Sequence, residues 1–235
     1  MSRAALTLTA AQQGHHDALL GRLLNPAPRV DLVHSTHANR KQVEQHVSDR
    51  YLSSYGASVD QFMPWLLTLE CLGNISGVAG IRPAGNSPLF LEQYLEEAIE
   101  SRIATITGES VSRGSIVEIG NLVAARRGSS HLLFLLFTSA LYEAGFEWIT
   151  FTATRALRNN LENVGFPLHA LGAIDASRLD QTILEKWGSY YDTAPLVMSG
   201  KLESAMQIIQ SRPLLRCVLQ HYRPVINELA GTLHG

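Results

Sequence analysis

The chain is expected to fold as a mixed α/β layer protein, with a mostly antiparallel central sheet flanked by helices and a helical extension at its C-terminal end. Three observations predict this. A strand, an arginine-glycine turn, an apolar helix, a second strand and a second helix run unbroken from Ile116 to Phe166, and two strands joined by one helix make a parallel βαβ unit. Upstream, the apolar runs Met63–Cys71 and Ser76–Ile81 flank Leu72-Gly-Asn-Ile75, which reads as an antiparallel hairpin turning near Gly73-Asn74. Downstream, Lys201–Gln210 and Pro213–Leu229 read as two further helices.

Taken in order, Leu6-Thr-Leu-Thr9 alternates like a short strand, and Asn25-Pro-Ala-Pro28 interrupts whatever follows it. Between Asn39 and Tyr55 the apolar residues Val43, Val47, Tyr51 and Tyr55 recur at every fourth position, an amphipathic helix stopped by Gly56. After the hairpin, Pro83, Gly85 and Pro88 mark a loop. Phe90 to Ile103 carries Leu91, Tyr94, Leu95 and Ile99 at helical spacing, which predicts a second amphipathic helix. The helix from Ser130 to Ala144 is apolar nearly all round at its start, as suits one packed between a sheet and other elements. Ser129 or Ser130 caps it and Gly145 stops it. Trp148–Thr154 is the returning strand, Thr154 the cap of the next helix and Gly165 its terminator. Trp187 to Gly200, with Tyr190, Tyr191, Pro195 and Val197, reads as an edge strand.

A length of 235 residues fits one large domain. The division expected is 1–200 as that domain, with 201–235 as a helical extension packed on it. A net charge of -2 gives no general attraction to polyanions, so no nucleic-acid partner is expected. Cys71 and Cys217 are far apart, without the spacing of a disulfide framework or a zinc site. His34, His37 and His46 lack an acidic or cysteine partner at a recognised spacing, so no metal is expected. The first ten residues lack the apolar run of a secretory signal, and the longest apolar stretch falls short of the ~20 residues that span a bilayer. No transmembrane segment and a cytoplasmic location are therefore expected.

The turn Arg126-Arg-Gly-Ser-Ser-His131 enters a helix, where free backbone N–H groups beside two guanidiniums suit a phosphate. The alternative is a surface turn with solvated arginines. Gly120 in mid-strand points to a bulge or a close backbone approach, or else simply to packing. Backbone N–H groups at Asn121, Leu122 and Val123 become available to an oxyanion if the strand splays from its neighbour. Glu118 stands in an otherwise apolar strand and needs a partner or a raised pKa. It either serves an ammonium group or forms a structural ion pair with Arg113, Arg155 or Arg158. Arg155, Arg158 and Asn159 open the second helix of the unit, to meet a donor's phosphate or an acidic carrier, or else as a solvated face. Trp187, Tyr190 and Tyr191 either wall a tunnel or pack a core.

The loop Arg126–His131 and the pair Gly165-Phe166 resemble the GCN5-related N-acetyltransferase (GNAT) fold, whose donor-binding loop is written roughly Arg/Gln-x-x-Gly-x-Gly/Ala. Serine and histidine stand here where the later glycine or alanine belongs, and Leu161 stands where the family commonly has a tyrosine that protonates the departing thiolate. More closely, Phe90-Leu-Glu-Gln-Tyr-Leu95, Ile116-Val-Glu-Ile-Gly-Asn-Leu122, Phe151-Thr-Ala-Thr-Arg-Ala-Leu-Arg-Asn159 and Trp187-Gly-Ser-Tyr-Tyr-Asp192 resemble the bacterial thermostable hemolysin family. That family's fold is similar to those of acyl-homoserine-lactone and N-acyl amino acid synthases.

The resemblance implies an N-acyltransferase that condenses an acyl thioester with a small-molecule amine to form an amide. The donor would be acyl-phosphopantetheine on acyl carrier protein, or acyl-CoA, as a co-substrate rather than a permanently bound cofactor. Glu118, Asn121 and Tyr190 would serve catalysis, with Asn121 standing where an arginine is usual. Leu122, Val123, Arg126, Arg127, Gly128, Ser129, Ser130, His131, Arg158 and Asn159 would hold the donor. A homodimer fits this reading. Two rivals remain, a membrane-active lytic protein using Leu202–Leu229 as its amphipathic stretch, and a module that binds an acyl thioester without turnover.

Overall fold

The computed structural model describes residues 26–124 and 129–234. Among the described residues seven strands form one sheet: β1 (Arg29–Val33), β2 (Trp65–Cys71), β3 (Asn74–Pro83), β4 (Ile116–Ala124), β5 (Trp148–Ala153), β6 (Leu168–Ala173) and β7 (Leu196–Lys201). Their order is β1-β2-β3-β4-β5-β7-β6, and every pairing is antiparallel except β4 with β5. The helices are α1 (Arg40–Tyr55), α2 (Ile99–Thr107), α3 (Ser129–Glu143), α4 (Arg155–Val164), α5 (Gln181–Trp187), α6 (Leu202–Ser211) and α7 (Pro213–His234).

Strand alternation sorts the core onto two faces. Leu67, Leu69, Ile81, Val117, Ile119, Ile149 and Phe151 point toward α3, α6 and α7. Leu66 and Val78 point the other way, onto Val43 and Val47 of α1, while Ile116 and Trp148 meet Ile99 and Ile103 of α2. The apolar perimeter of α3 follows from its place: Leu132 through Leu141 are all buried, with sheet on one side and α6 and α7 on the other. α7 buries Val218, Tyr222, Ile226 and Leu229 in the same core. The tail's apolar face is thus taken up inside the fold rather than presented as an insertion surface.

The βαβ unit stands as expected, with α3 joining parallel strands, and Thr154 caps α4 by accepting the Leu157 N–H. Gly56 and Gly165 end their helices in the left-handed conformation. The hairpin turns at Leu72-Gly73, both at positive φ.

Several elements differ from expectation. Phe90–Ile103 is not one helix: a 3-10 turn spans Phe90–Tyr94, an extended link follows, and α2 begins at Ile99. Two carboxylates replace the helix's own carbonyl acceptors. Glu118 takes the N–H groups of Phe90 and Leu91, and Glu92 takes those of Leu89 and Ile99. Trp187 closes α5, and the strand after it is only Leu196–Lys201, lying inside the sheet between β5 and β6. The edge there is β6, whose Leu-His-Ala-Leu-Gly-Ala carries no β-branched residue to signal a strand. β1, at the opposite edge just past Pro28, is likewise not expected from the sequence. The expected strand Leu6–Thr9 lies outside the described residues.

Candidate functional site

β4 and β5 pair over Ile116–Ile119 and Trp148–Phe151, and then part. β5 continues with β7 through Ala153, and β4 continues with β3 through Ala124. The parting coincides with a bulge. Opposite β3, the register steps from Gly80↔Gly120 to Val78↔Val123, so β4 carries one extra residue, and Asn121 takes φ 47°.

A cavity of about 360 Å³ opens at this wedge. Ile119, Phe134, Phe151 and Leu157 line it on the α3 side, and Tyr51, Met63, Phe90, Trp187 and Tyr190 on the other. Because β4 and β5 are parallel, the first turn of α3 stands at the end where the strands diverge.

Glu118 faces this cavity with 2% of its surface exposed. Its two oxygens accept the Phe90 and Leu91 N–H groups at 2.9 Å each. Its ion-pair partner is Arg82, at 3.8 Å, rather than Arg113, Arg155 or Arg158. Burial raises its pKa, against the lowering effect of the two N–H donors and Arg82. Each carboxylate oxygen keeps a further lone pair beyond the backbone bond it accepts. Arg113 is held elsewhere, by Glu92 and Glu100. Arg158 donates to the carbonyls of Ala153 and Ala194, which ties α4 to the end of β5 and the turn before β7. Arg155 and Asn159 are exposed on α4.

Asn121 lines the cavity, but its amide is engaged: Oδ1 accepts the Met63 N–H at 2.8 Å and Nδ2 donates to the Gln61 carbonyl. Buried Arg40 holds the same segment by donating to the carbonyls of Met63, Pro64 and Val33. Of the proposed backbone donors, Leu122 stands at the bulge, with no strand partner in the β3–β4 or β4–β5 register, and Val123 has rejoined the ladder opposite Val78.

Tyr190 is buried against the cavity, its hydroxyl 3.2 Å from Thr152 Oγ1 on β5. Burial pushes its pKa up to about 12. Tyr191 bonds instead to the Tyr94 hydroxyl. Ser129 and Ser130 open α3 half-buried and His131 exposed, while Arg126, Arg127 and Gly128 lie outside the described residues. Leu161, at the position of the family's usual tyrosine, is core. Among the described residues no group of three or more His, Cys, Asp or Glu is placed to hold a metal, and no helix is long and apolar enough to cross a membrane.

The sequence does not mark Tyr51, Met63 and Arg82 as parts of the site. Tyr51 and Tyr55 stand out in it only as one face of a helix, and Arg82 falls just past the apolar run Ser76–Ile81. The four-residue spacing of aromatic side chains on α1 is the one signal available.

The family model for thermostable hemolysin matches residues 33–206. The chain belongs to the thermostable hemolysin family. No curated protein matches it. Among solved structures, it resembles TofI in an apo form, at 12% identity and TM-score 0.53, over 80% of this chain and 99% of that one. It also resembles FeeM, an N-acyl amino acid synthase from uncultured soil microbes, at 15% identity and TM-score 0.51, over 81% and 98%. The AHL synthase LasI aligns at 12% identity and TM-score 0.50, over 75% and 90%. These likenesses establish the fold: a GNAT-like mixed sheet, mostly antiparallel, flanked by helices.

Proposed function

We propose that this member of the family is an N-acyltransferase, joining an acyl group from a thioester to an amine. The observation that carries the reading is the wedge between β4 and β5, which opens into an apolar cavity holding one buried carboxylate, Glu118. The wedge admits the narrow pantetheine arm of an acyl thioester. Its apolar walls suit the acyl chain, and Glu118 suits an ammonium acceptor that must lose a proton before attack. The kinship in fold with an N-acyl amino acid synthase and an AHL synthase supports the same reading.

In this scheme the donor's phosphate meets the loop 126–131 and the first turn of α3, including Ser129, Ser130 and His131, where unpaired helix N–H groups favour an anion. Acyl carrier protein is the preferred source of the thioester, with coenzyme A as the alternative, and the reaction is placed in the cytoplasm. Attack is direct: the amine nitrogen bonds to the carbonyl carbon, the C–S bond breaks, and one proton passes from nitrogen to sulfur. Tyr190 is the candidate to meet the departing sulfur. Residues 201–235 would form a helical addition to an acyltransferase domain spanning 1–200.

Leu161 favours one rival, a module that binds thioesters without turnover, since the common thiolate-protonating tyrosine is absent. Incubation with acyl-carrier-protein and acyl-CoA series plus pooled amines, read by intact-mass spectrometry, separates the two. Loss of thioester with a matching amide supports transfer. Tight binding with every thioester intact supports the module.

A further inference from the structure

We infer that Arg82 and Glu118 together hold the acceptor, and that the acceptor is an amine carrying its own carboxylate, as an α-amino acid does. This rests on the acyl-transfer reading above. The two residues stand directly opposite each other on β3 and β4, which puts their side chains on one face of the sheet, and both line the cavity. Arg82 Nη1 lies 3.8 Å from Glu118 Oε2, close enough for attraction and too far for a hydrogen bond. Among the described residues the Arg82 guanidinium makes no hydrogen bond. Other arginines set into the fold are engaged. Arg40 donates to three carbonyls and to Glu44, Arg113 to two glutamates and two carbonyls, and Arg158 to two carbonyls.

Charge balance decides what such a pair can take up. Glu118 and Arg82 neutralise each other, and so do Asp60 and Lys186, which also line the cavity and stand 2.5 Å apart. A plain ammonium entering beside Glu118 would leave one uncompensated positive charge among apolar walls, and burying an unpaired charge is costly. An amine with its own carboxylate brings no net charge. Its ammonium meets Glu118, whose oxygens each keep a lone pair beyond the backbone N–H they accept. Its carboxylate meets Arg82, whose planar fork of N–H groups matches carboxylate geometry. In an α-amino acid a single carbon separates the two groups, which suits two side chains already near contact. One close pair opens into two, and the site stays neutral.

The same arrangement presents the nitrogen for attack. With the carboxylate fixed on Arg82, Glu118 takes one ammonium proton and frees the nitrogen lone pair. That pair bonds to the thioester carbonyl carbon, the C–S bond breaks, and a second nitrogen proton leaves with the sulfur as thiol. Arg82 makes and breaks no bond in this sequence. It is a binding residue, so its contribution falls on the acceptor's KM more than on kcat.

The test compares the common α-amino acids with their methyl esters as acceptors, with acyl-coenzyme A and acyl-carrier-protein thioesters as donors. The ester's amine gives up its proton more readily, so chemistry alone favours the ester. The wild type is expected to show a kcat/KM for the acid higher by roughly 30-fold or more, the scale of one buried charge pair. Arg82→Gln should erase that ratio, mainly through the acceptor's KM, and Arg82→Lys should keep part of it. The ratio is internal to each protein, so a variant that folds incompletely does not distort it. Should Arg82→Gln not fold at all, the wild-type ratio and Arg82→Lys decide. Esters used as well as acids by the wild type would overturn the inference while leaving acyl transfer standing. Equal losses for acid and ester in Arg82→Gln would also overturn it, leaving Arg82 as a structural partner of Glu118. Calorimetric titration of the amino acids without donor separates the two readings. Binding that depends on Arg82, with no amide from any thioester, would sink acyl transfer and keep the zwitterion site.

Discussion

Met63 fills the space that a side chain at Gly120 would need: a Cβ there would lie 2.4 Å from the Met63 Cε. The same methionine closes over Gly80, where the added Cβ would meet Met63 Cβ and Cγ at 2.8 and 2.7 Å. The two glycines differ in what must give way. At Gly120 it is a flexible tip, at Gly80 the root of the side chain.

Gly120→Ala should therefore fold and push the Met63 methyl into the cavity, shortening the longest acyl chain accepted. Gly80→Ala should cost more stability, about 1–3 kcal/mol as for other overpacked cores. Thermal unfolding of both variants, with acyl-chain selectivity of the first, checks this. Equal destabilisation would contradict it.

Asn121→Ala removes the acceptor of the Met63 N–H and leaves alanine at φ 47°. A loss of about 1–3 kcal/mol is expected from the unmet N–H alone. Asn121→Gly loses the same bonds without the steric cost of positive φ, so it should be the more stable of the two. Denaturant midpoints rank them.

Glu118→Gln should lower kcat/KM by roughly 100-fold or more if the carboxylate takes the acceptor's proton. The amide nitrogen of glutamine cannot accept an N–H, so either Phe90 or Leu91 loses its partner, and stability falls by ~1–3 kcal/mol. In the wild type, kcat/KM should rise with pH as Glu118 ionises, and because burial raises its pKa the rise should begin above the ordinary value of 4.5. A pH profile unchanged by the substitution would assign the titration elsewhere.

Glu92 acts in the opposite sense on stability. Arg113 grips both its oxygens, at 2.7 and 2.8 Å, and holds its pKa at about 2 against an ordinary 4.5. The folded state therefore holds this proton less tightly than the unfolded chain does. The stabilisation is present in full above the ordinary value and is lost as pH falls from there toward about 2. Glu92→Gln should flatten that part of the acid-unfolding curve, as followed by circular dichroism at stepped pH.

Gly188 holds φ 52° and ψ −128°, and a Cβ there would stand 2.2 Å from the Tyr55 carbonyl oxygen. The obstacle is backbone, and the residues beside it are stitched to the end of α1 by Ser58 N–H to Lys186 O and Ser189 N–H to Tyr55 O. Gly188→Ala should cost at least ~3 kcal/mol or detach this wall of the cavity. Increased proteolysis near residue 188 would report the detachment.

The parts of the fold legible in the sequence are those whose signal is local. The helix caps at Thr154 and Gly165, the stops at Gly56 and Gly145 and the bulge beside Gly120 depend on residues within a turn or two. β6 is hidden because its sequence, Leu-His-Ala-Leu-Gly-Ala, holds none of the β-branched or large aromatic residues that mark a strand locally. The break at Phe90–Tyr94 is hidden because Glu118, far along the chain, supplies its acceptors. The site divides in the same way. Glu118 and Tyr190 can be singled out as residue types out of place, whereas the partnership of Tyr190 with Thr152, or of Asn121 with Met63, exists only once distant segments meet.

Unpaired strand edges invite pairing with other chains, and folded proteins keep them short or shielded. Among the described residues this sheet has an outer edge at β1, another at β6, and a third inside, where β4 and β5 separate after only four residue pairs. The inner edge faces a cavity of about 360 Å³ walled by helices and aromatic rings. A slender molecule with amide groups of its own can lie there as a strand would. The fold thus keeps one edge unpaired and turns it inward, onto walls of its own making.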